Sequence, residues 1–304
     1  MLDGLRHFLL ITEHGTFTRA ARRAHLSQPA LSASIQKLED DLGAKVFYRG
    51  RTGAALTAAG EALMPHARAA LSAVDDARRA VAEIQGLRSG EVRLGAGATA
   101  CTYLLPTALA AFRATHPGVR FLLREATTGQ VLDGLEAGEL DLGVVTHPAG
   151  ELWHTDELIF IAAPDTAAAR ARAPKRAADL PGGGAPFVTF TKGATTRETL
   201  DRLFPSASIV MELGSIAAVK GNVRAGIGIA LVSRAAVETD LERGDLVELP
   251  HPASPIARPL HLVHRGVFRL PPAAAALRTL LLERPPIKAP PRRADRSRDR
   301  RKSV

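Results

Sequence analysis

Two groups of side chains in this sequence have chemistry to offer. Ser27, Gln28, Ser32, Gln36 and Lys37 lie close together, and the glycine-rich basic segment Arg49-Gly50-Arg51-Thr52-Gly53 follows soon after. Hydroxyl, amide and cationic groups in that density suit hydrogen bonding to a polyanion with readable edges, which is the chemistry of nucleic-acid recognition. The second group is dispersed from Thr99 to Ser215, each member at the end of an expected strand or the start of an expected helix. Thr99, Ala100 and Cys101 stand together, then come Thr128, the pair Thr146 and His147, the pair Thr191 and Lys192, and the pair Gly214 and Ser215. Hydroxyls and free amides at helix starts suit an anion such as a carboxylate. Each has a plainer reading: Thr99 and Thr128 as N-caps, His147 as a strand-end surface residue, Cys101 as an inert packing residue. No H-E-x-x-H, G-x-S-x-G or paired Cys/His spacing occurs, so no enzyme, no metal and no cofactor are expected. Gly226-Ile-Gly228 precedes a strand instead of opening a helix, which speaks against a nucleotide site.

The elements that must hold the first group are legible. Leu5, Phe8, Leu9 and Thr12 recur at helical spacing and predict a first helix ending near Gly15. Thr16 caps a short second helix whose Ala20, Ala21 and Ala24 allow close approach, and His25-Leu26 turns the chain. Ser27 caps a third helix, with Pro29 tolerated in its first turn. At 100° per residue Leu31, Ile35, Leu38 and Leu42 form one apolar stripe. Pro29, Ser32, Ala33, Gln36 and Lys37 project the other way, and Gly43 supplies the stop. A plain three-helix bundle shares this periodicity. What distinguishes the segment is order: short helix, tight turn, capped polar-faced helix, then a basic glycine-rich wing, which is the layout of a winged helix-turn-helix.

The run FLLITEHGTFTRAARRAHLSQPALSASIQKLEDDLGAKVFYRG from Phe8 to Gly50, with LTAAG at Leu56 to Gly60, resembles the LysR-type transcriptional regulators. The marks are Phe8, the Ala20-Ala21 pair, SQPALS from Ser27 to Ser32, Leu38-Glu39, Leu42-Gly43, Phe47-x-Arg49 and Leu56-Thr57-x-Ala59-Gly60. The resemblance implies that Ser27, Gln28, Pro29, Ser32 and Gln36, with Thr18 from the second helix, face double-stranded promoter DNA. It places Lys37 and Arg49 toward the backbone. Where family members carry long donors this chain has Ala33 and Ser34, and Arg51 stands one place before Thr52, where a wing arginine is usual. Fewer long donors weaken direct base readout, so phosphate contacts and DNA shape are expected to carry more of the recognition.

Ala67, Ala70, Val74, Ala77, Val81 and Ile84 follow a 3-4-3-4-3 spacing, the seam of two helices packed side by side. A helix buried on its own domain would also fit. The resemblance favours a homodimer through this linker helix at 58–88, two such dimers forming a tetramer. From Glu91 strands alternate with helices, which argues a parallel α/β sheet with right-handed crossovers. VRLG, LLPxxLxxFxxxHPGV, LxxGELDLGV and VxAGIGIALV there resemble the family's effector-binding domain, which has two Rossmann-like lobes like a type II periplasmic binding protein. The expected fold class is therefore α/β with an N-terminal all-α winged helix-turn-helix. Its expected divisions are a DNA-binding domain at 1–60, the linker, and an effector domain at 90–285. Lobe 1 is expected at about 90–161 and 266–285 and lobe 2 at about 162–265, followed by a basic disordered tail at 286–304. A small-molecule effector is the implied ligand, and RNA polymerase is a further partner that the resemblance allows.

Composition fits this reading and closes others. Hydrophobic residues make up 46% and charged residues 23% of the 304 residues, which predicts packed domains. Of the net charge of +9, +6 lies between Pro285 and Val304, where eight Lys and Arg face only Asp295 and Asp299. The apolar run near the N-terminus is too short to span a membrane, and Asp3 and Glu13 spoil a secretion leader, so a cytoplasmic location with no membrane association is expected. The missing leader and the polar-faced third helix argue against a solute-binding or transport module. A single cysteine excludes an intrachain disulfide.

Overall fold

The computed structural model describes residues 1–50, 53–84, 90–148, 150–170, 179–181 and 183–286, without the side chains at 49, 50, 80 and 82–84. The head begins with α1 (Leu2–His14), closed by Gly15 at φ 72°, and α2 (Phe17–Arg23), whose first turn is capped by the Thr16 hydroxyl at 3.2 Å from the Arg19 amide. His25 takes φ 56° to turn the chain. The Ser27 hydroxyl caps α3 (Gln28–Leu42), and Gly43 ends it in the left-handed region. Leu31, Ile35 and Leu38 are buried against Phe8, Ile11, Ala20 and Ala21. Leu42 departs from expectation: at the last turn it passes the edge of the core and is 41% exposed.

The wing is an antiparallel hairpin, β1 (Phe47–Gly50) and β2 (Gly53–Leu56), pinned by Phe47 between Phe8 and Phe17 at ring distances of 5.3 and 5.6 Å. Buried Glu39 fixes its entry by accepting the Val46 amide at 3.0 Å. Thr57 then does two jobs, donating to the Lys45 carbonyl at 2.6 Å and accepting the Gly60 amide at 3.0 Å as α4 (Ala58–Ile84) starts. A side chain on Gly60 would meet the Val46 carbonyl oxygen at 2.2 Å. The Leu-Thr-x-Ala-Gly pattern is thus a physical requirement of the wing-to-helix junction.

Helix α4 is divided in its use. Ala67 is fully buried in the head's own core, with Leu63, Met64, Ala70 and Leu71 packed around it, so the first part of the expected seam serves the head. Farther along, Ala77 is exposed and Val81 is 55% exposed.

Beyond residue 90 the described strands form a seven-stranded mixed sheet and a separate two-stranded parallel sheet. β3 (Glu91–Ala96) lies parallel to β4 (Arg120–Glu125) and β5 (Leu142–Val145). A π-helical turn (Ala100–Leu104), α5 (Leu105–Thr115) and α6 (Thr128–Glu136) make the crossovers. The long β6 (Glu151–Ala162) then leaves this first lobe for the second. There follow α7 (Ala167–Arg170), β7 (Phe187–Phe190), α8 (Thr195–Leu203), β8 (Ile209–Leu213), α9 (Ile216–Arg224), β9 (Ala230–Ser233), α10 (Arg234–Arg243) and β10 (Val247–Leu249). β11 (Ile256–Val263) brings the chain back, antiparallel to β6 at one end and to β5 at the other. A 3-10 turn (Val267–Arg269) and α11 (Pro272–Glu283) complete the first lobe.

Both lobe crossings occur inside strands: β6 is shared by the two lobes, and β11 has already rejoined lobe 1 at Leu260 and Leu262, earlier than the 265 expected from sequence. The wholly parallel sheet expected from the alternation is mixed because these two crossing strands run antiparallel to each other. Gly228 has a packing role, since a Cβ there would meet the Pro186 carbonyl oxygen at 2.2 Å as β9 docks beside β7. Residues 85–89, with the Ser89 helix break, and the basic tail beyond Pro286 fall outside the described residues.

Candidate DNA-reading face and effector cleft

On the head, Thr18, Ser27, Gln28, Pro29, Gln36 and Lys37 are exposed, and Ser32 is half-buried among them. They share the outward face of α3 and the start of α2, opposite the leucine stripe. The Gln28 side chain donates to the Ser32 hydroxyl at 3.0 Å. Ser34, a position where long donors were missed in the sequence, faces inward instead: its hydroxyl lies 2.7 Å from His7 Nδ1 and ties α3 to α1. Burial lowers the pKa of His7, Asp3 opposes that shift and Arg6 adds to it. The Arg49 backbone pairs with Ala54 in the wing. The Arg49 side chain and all of Arg51 lie outside the described residues.

Between the lobes lies a cleft of about 300 Å³. The structure brings Thr99, Ala100, Thr128, Thr146, Thr191, Lys192 and Gly214 to its wall. Thr128 Oγ1 and Thr146 Oγ1 are 3.5 Å apart, and Thr146 donates to Thr195 Oγ1 at 3.3 Å, a contact from lobe 1 to lobe 2. Helix α6 enters the wall through a complete capping box between Thr127 and Gln130, whereas α8 has Ala194 at its N-cap position and so no side-chain cap. The amides at the α8 start therefore keep their positive field facing the cleft.

Three expected ligand residues lie off this wall. Cys101 turns into lobe 1, its thiol 3.3 Å from the Ala96 carbonyl oxygen, and desolvation, reinforced by Glu125, pushes its pKa up to about 11. The Ser215 hydroxyl is committed to capping α9 through the Ala218 amide at 3.2 Å. His147, half-buried after the end of β5, is not among the lining residues and has interactions of its own. Conversely, Thr127, Gln130, Thr195, Thr196 and Arg258 line the cleft without having been singled out. Arg258 is buried, held by Asp156 at 3.1 Å through Nε and by the Thr196 hydroxyl at 2.9 Å through Nη1. Buried Asp156 also accepts from Ser233 at 2.8 Å, so this guanidinium arrives already neutralised.

The head and the first lobe are joined by ions as well as by chain. Asp76 of α4 accepts from Arg93 at 3.0 Å and from Arg265 at 2.7 Å, and also pairs with Arg79. Arg79 reaches Asp141 at 3.1 Å, and Arg93 holds the same carboxylate at 2.7 Å. Burial alone would raise the Asp141 pKa, but hydrogen bonds from Arg93 and Arg79 outweigh it and hold the group below its ordinary value. Ser72 donates to the Gly138 carbonyl oxygen at 2.6 Å beside this cluster.

A winged head, a long connecting helix and a two-lobed domain around a cleft define a DNA-binding regulator with an effector-binding domain. Residues 2–61 match the bacterial regulatory helix-turn-helix proteins of the lysR family, and residues 85–286 match the LysR substrate binding domain. The chain belongs to the LysR family of transcriptional regulators, which are not enzymes. It is 31% identical over 293 residues to the RuBisCO operon transcriptional regulator of Allochromatium vinosum, covering 92% of this chain and 95% of that one. It is 33% identical to the HTH-type transcriptional regulator CfxR of Cupriavidus necator over 93% of this chain and 91% of the relative. A full-length OxyR variant from Pseudomonas aeruginosa superposes with a TM-score of 0.68 at 22% identity, covering 96% of this chain and 99% of that one. CbnR in complex with its target DNA gives 0.64 at 23%, covering 92% and 98%. At those identities the two structures speak to the fold. Among the described residues no helix is long and apolar enough to cross a membrane.

Proposed function

We propose that this chain is a promoter-specific transcriptional regulator in which α3 reads the major groove and a small anionic effector binds between the lobes. The observation that carries the reading is the division of α3: three apolar side chains are buried in the head, while the hydroxyl and amide face opposite them is open to a partner of groove width. The wing arginines Arg49 and Arg51 supply phosphate or minor-groove contacts beside it. The part of α4 not used by the head, around Val74, Ala77 and Val81, pairs with a second copy, so that two heads address half-sites about one DNA turn, or a multiple of it, apart. Two dimers then make the tetramer, and the protein acts in the cytoplasm.

For the cleft, Lys192, the uncapped start of α8 and the ring of threonine hydroxyls favour an anion. Thr128 and Thr146 belong to one lobe and Thr191, Lys192 and Thr195 to the other, so a ligand touching both sets binds one lobe arrangement better than another. That difference is what shifts the equilibrium. The cluster of Asp76, Arg79, Arg93, Asp141 and Arg265 makes α4 follow lobe 1, and the heads follow α4.

The test is fluorescence anisotropy of the full chain at physiological salt. Duplexes from its own upstream region are used, together with RuBisCO-operon promoter duplexes, because relatives carry that name. At least one promoter duplex is expected to bind about 10³-fold or more above shuffled duplex. Equal affinity for promoter and shuffled duplexes contradicts the reading.

A further inference from the structure

Gln36 stands on the exposed face of α3, yet its amide is held at both ends. Its Nε2 donates to Asp40 Oδ1 at 2.7 Å, and its Oε1 accepts from Lys45 Nζ at 2.9 Å. An ammonium can only donate and a carboxylate only accept, so these two partners leave the amide a single orientation. Lys45 lies outside α3, in the short connection to the wing, and is itself anchored. Its Nζ also donates to Glu39 Oε2 at 2.8 Å, and its carbonyl oxygen accepts from Thr57 at 2.6 Å. Glu39 is buried, and its second oxygen takes the Val46 amide at 3.0 Å. A continuous set of contacts therefore runs from the interior of the head to one amide on the reading face.

We propose that Lys45 is a positioning residue for sequence readout, setting the Gln36 amide in advance for one base pair of each half-site. The inference rests on the reading of the α3 polar face as the groove-facing surface. Held this way, Gln36 keeps one N–H and one carbonyl lone pair unused, and that donor–acceptor pair complements the N7 and N6 edge of adenine. Freezing the rotors of a long side chain before binding is worth about three- to tenfold in affinity for the matching base, and nothing for a mismatched one. A lysine serving only as a phosphate contact behaves otherwise, strengthening all sequences alike and adding to the salt dependence.

The experiment uses the full chain and a duplex recovered by in vitro selection from random-sequence DNA with that chain. Every single base-pair substitution of the duplex is measured at several salt concentrations. Q36A is expected to erase the preference at one base pair per half-site. K45M is expected to weaken the preference at that same pair by about three- to tenfold, to leave the preferences at other positions unchanged, to lower the melting temperature because buried Glu39 loses its cation, and to add nothing to the loss of preference in a Q36A background. A uniform loss on all sequences, with the salt slope reduced by about one and full additivity with Q36A, overturns the proposal in favour of a phosphate contact. A uniform loss with a lowered melting temperature and an unchanged salt slope overturns it in favour of a merely structural role. Unchanged discrimination in K45M overturns the proposal while leaving Gln36 as a reader. No effect of Q36A at any position overturns both, and a selection that enriches no sequence removes the groove-facing reading itself.

Discussion

Cys101 shows how position in the chain and position in space come apart. It stands beside Thr99 and Ala100, both on the cleft wall, but the π-helical turn carries its thiol back toward β3, where burial and the nearby Glu125 hold it protonated. With a pKa of about 11 against an ordinary 9.0, ionisation alone makes alkylation of the native chain at pH 8 about a hundredfold slower than that of the unfolded chain. A time course with iodoacetamide in buffer and in denaturant checks this, and equal rates would return Cys101 to the candidates for a reactive sensor. Seven of the ten expected ligand positions reached the cleft because strand ends and helix starts in an alternating α/β chain converge on one edge of the sheet. Arg258 could not be found in this way. It sits within the crossing strand β11, and its value to the wall depends on Asp156 and Thr196, which are 102 and 62 residues away in sequence.

At the scale of elements, the helices of the head were legible down to their caps, since Thr16, Ser27, Gly15 and Gly43 act through neighbours within three or four residues. Leu42 was misjudged because periodicity continues past the point where the core ends. The first part of the expected α4 seam was misassigned for a related reason: a 3-4 spacing marks an apolar stripe but not what covers it, and Ala67 is covered by the head. Helix α8 went unread because its run Thr195-Thr196-Arg197-Glu198-Thr199 has no apolar stripe and no capping side chain before it. The junction between wing and α4 is the most constrained of these elements. Gly60→Ala forces a methyl group against the Val46 carbonyl and is expected to destabilise the head by about 1–3 kcal/mol. Thermal unfolding checks it: the drop should be confined to the head's transition, and an unchanged melting temperature would show that the junction relaxes at no cost.

For the whole molecule, the arrangement has the parts that the proposed linkage requires: an exposed polar face on α3, a cleft shared by two lobes, and a helix tied to one of those lobes. Asp76 and Asp141 share Arg79 and Arg93, Asp76 also holds Arg265, and a depressed carboxylate such as Asp141 contributes stability that is lost only as pH falls through a value below its ordinary 3.8. The tie therefore stays fully formed across the neutral range, and under the proposed function it is what carries a movement of lobe 1 to α4. None of this matters to transcription unless α3 distinguishes one DNA sequence from another. The measurement that bears on it most directly is the ratio of Kd for random duplex to Kd for the selected duplex, at physiological salt, in the wild-type chain and in Gln28→Ala/Ser32→Ala. The wild-type ratio should be about 10³ or more, and the double variant should lose at least tenfold of it while keeping its affinity for random duplex and its melting temperature. An undiminished ratio in that variant would mean that sequence is read elsewhere on the protein.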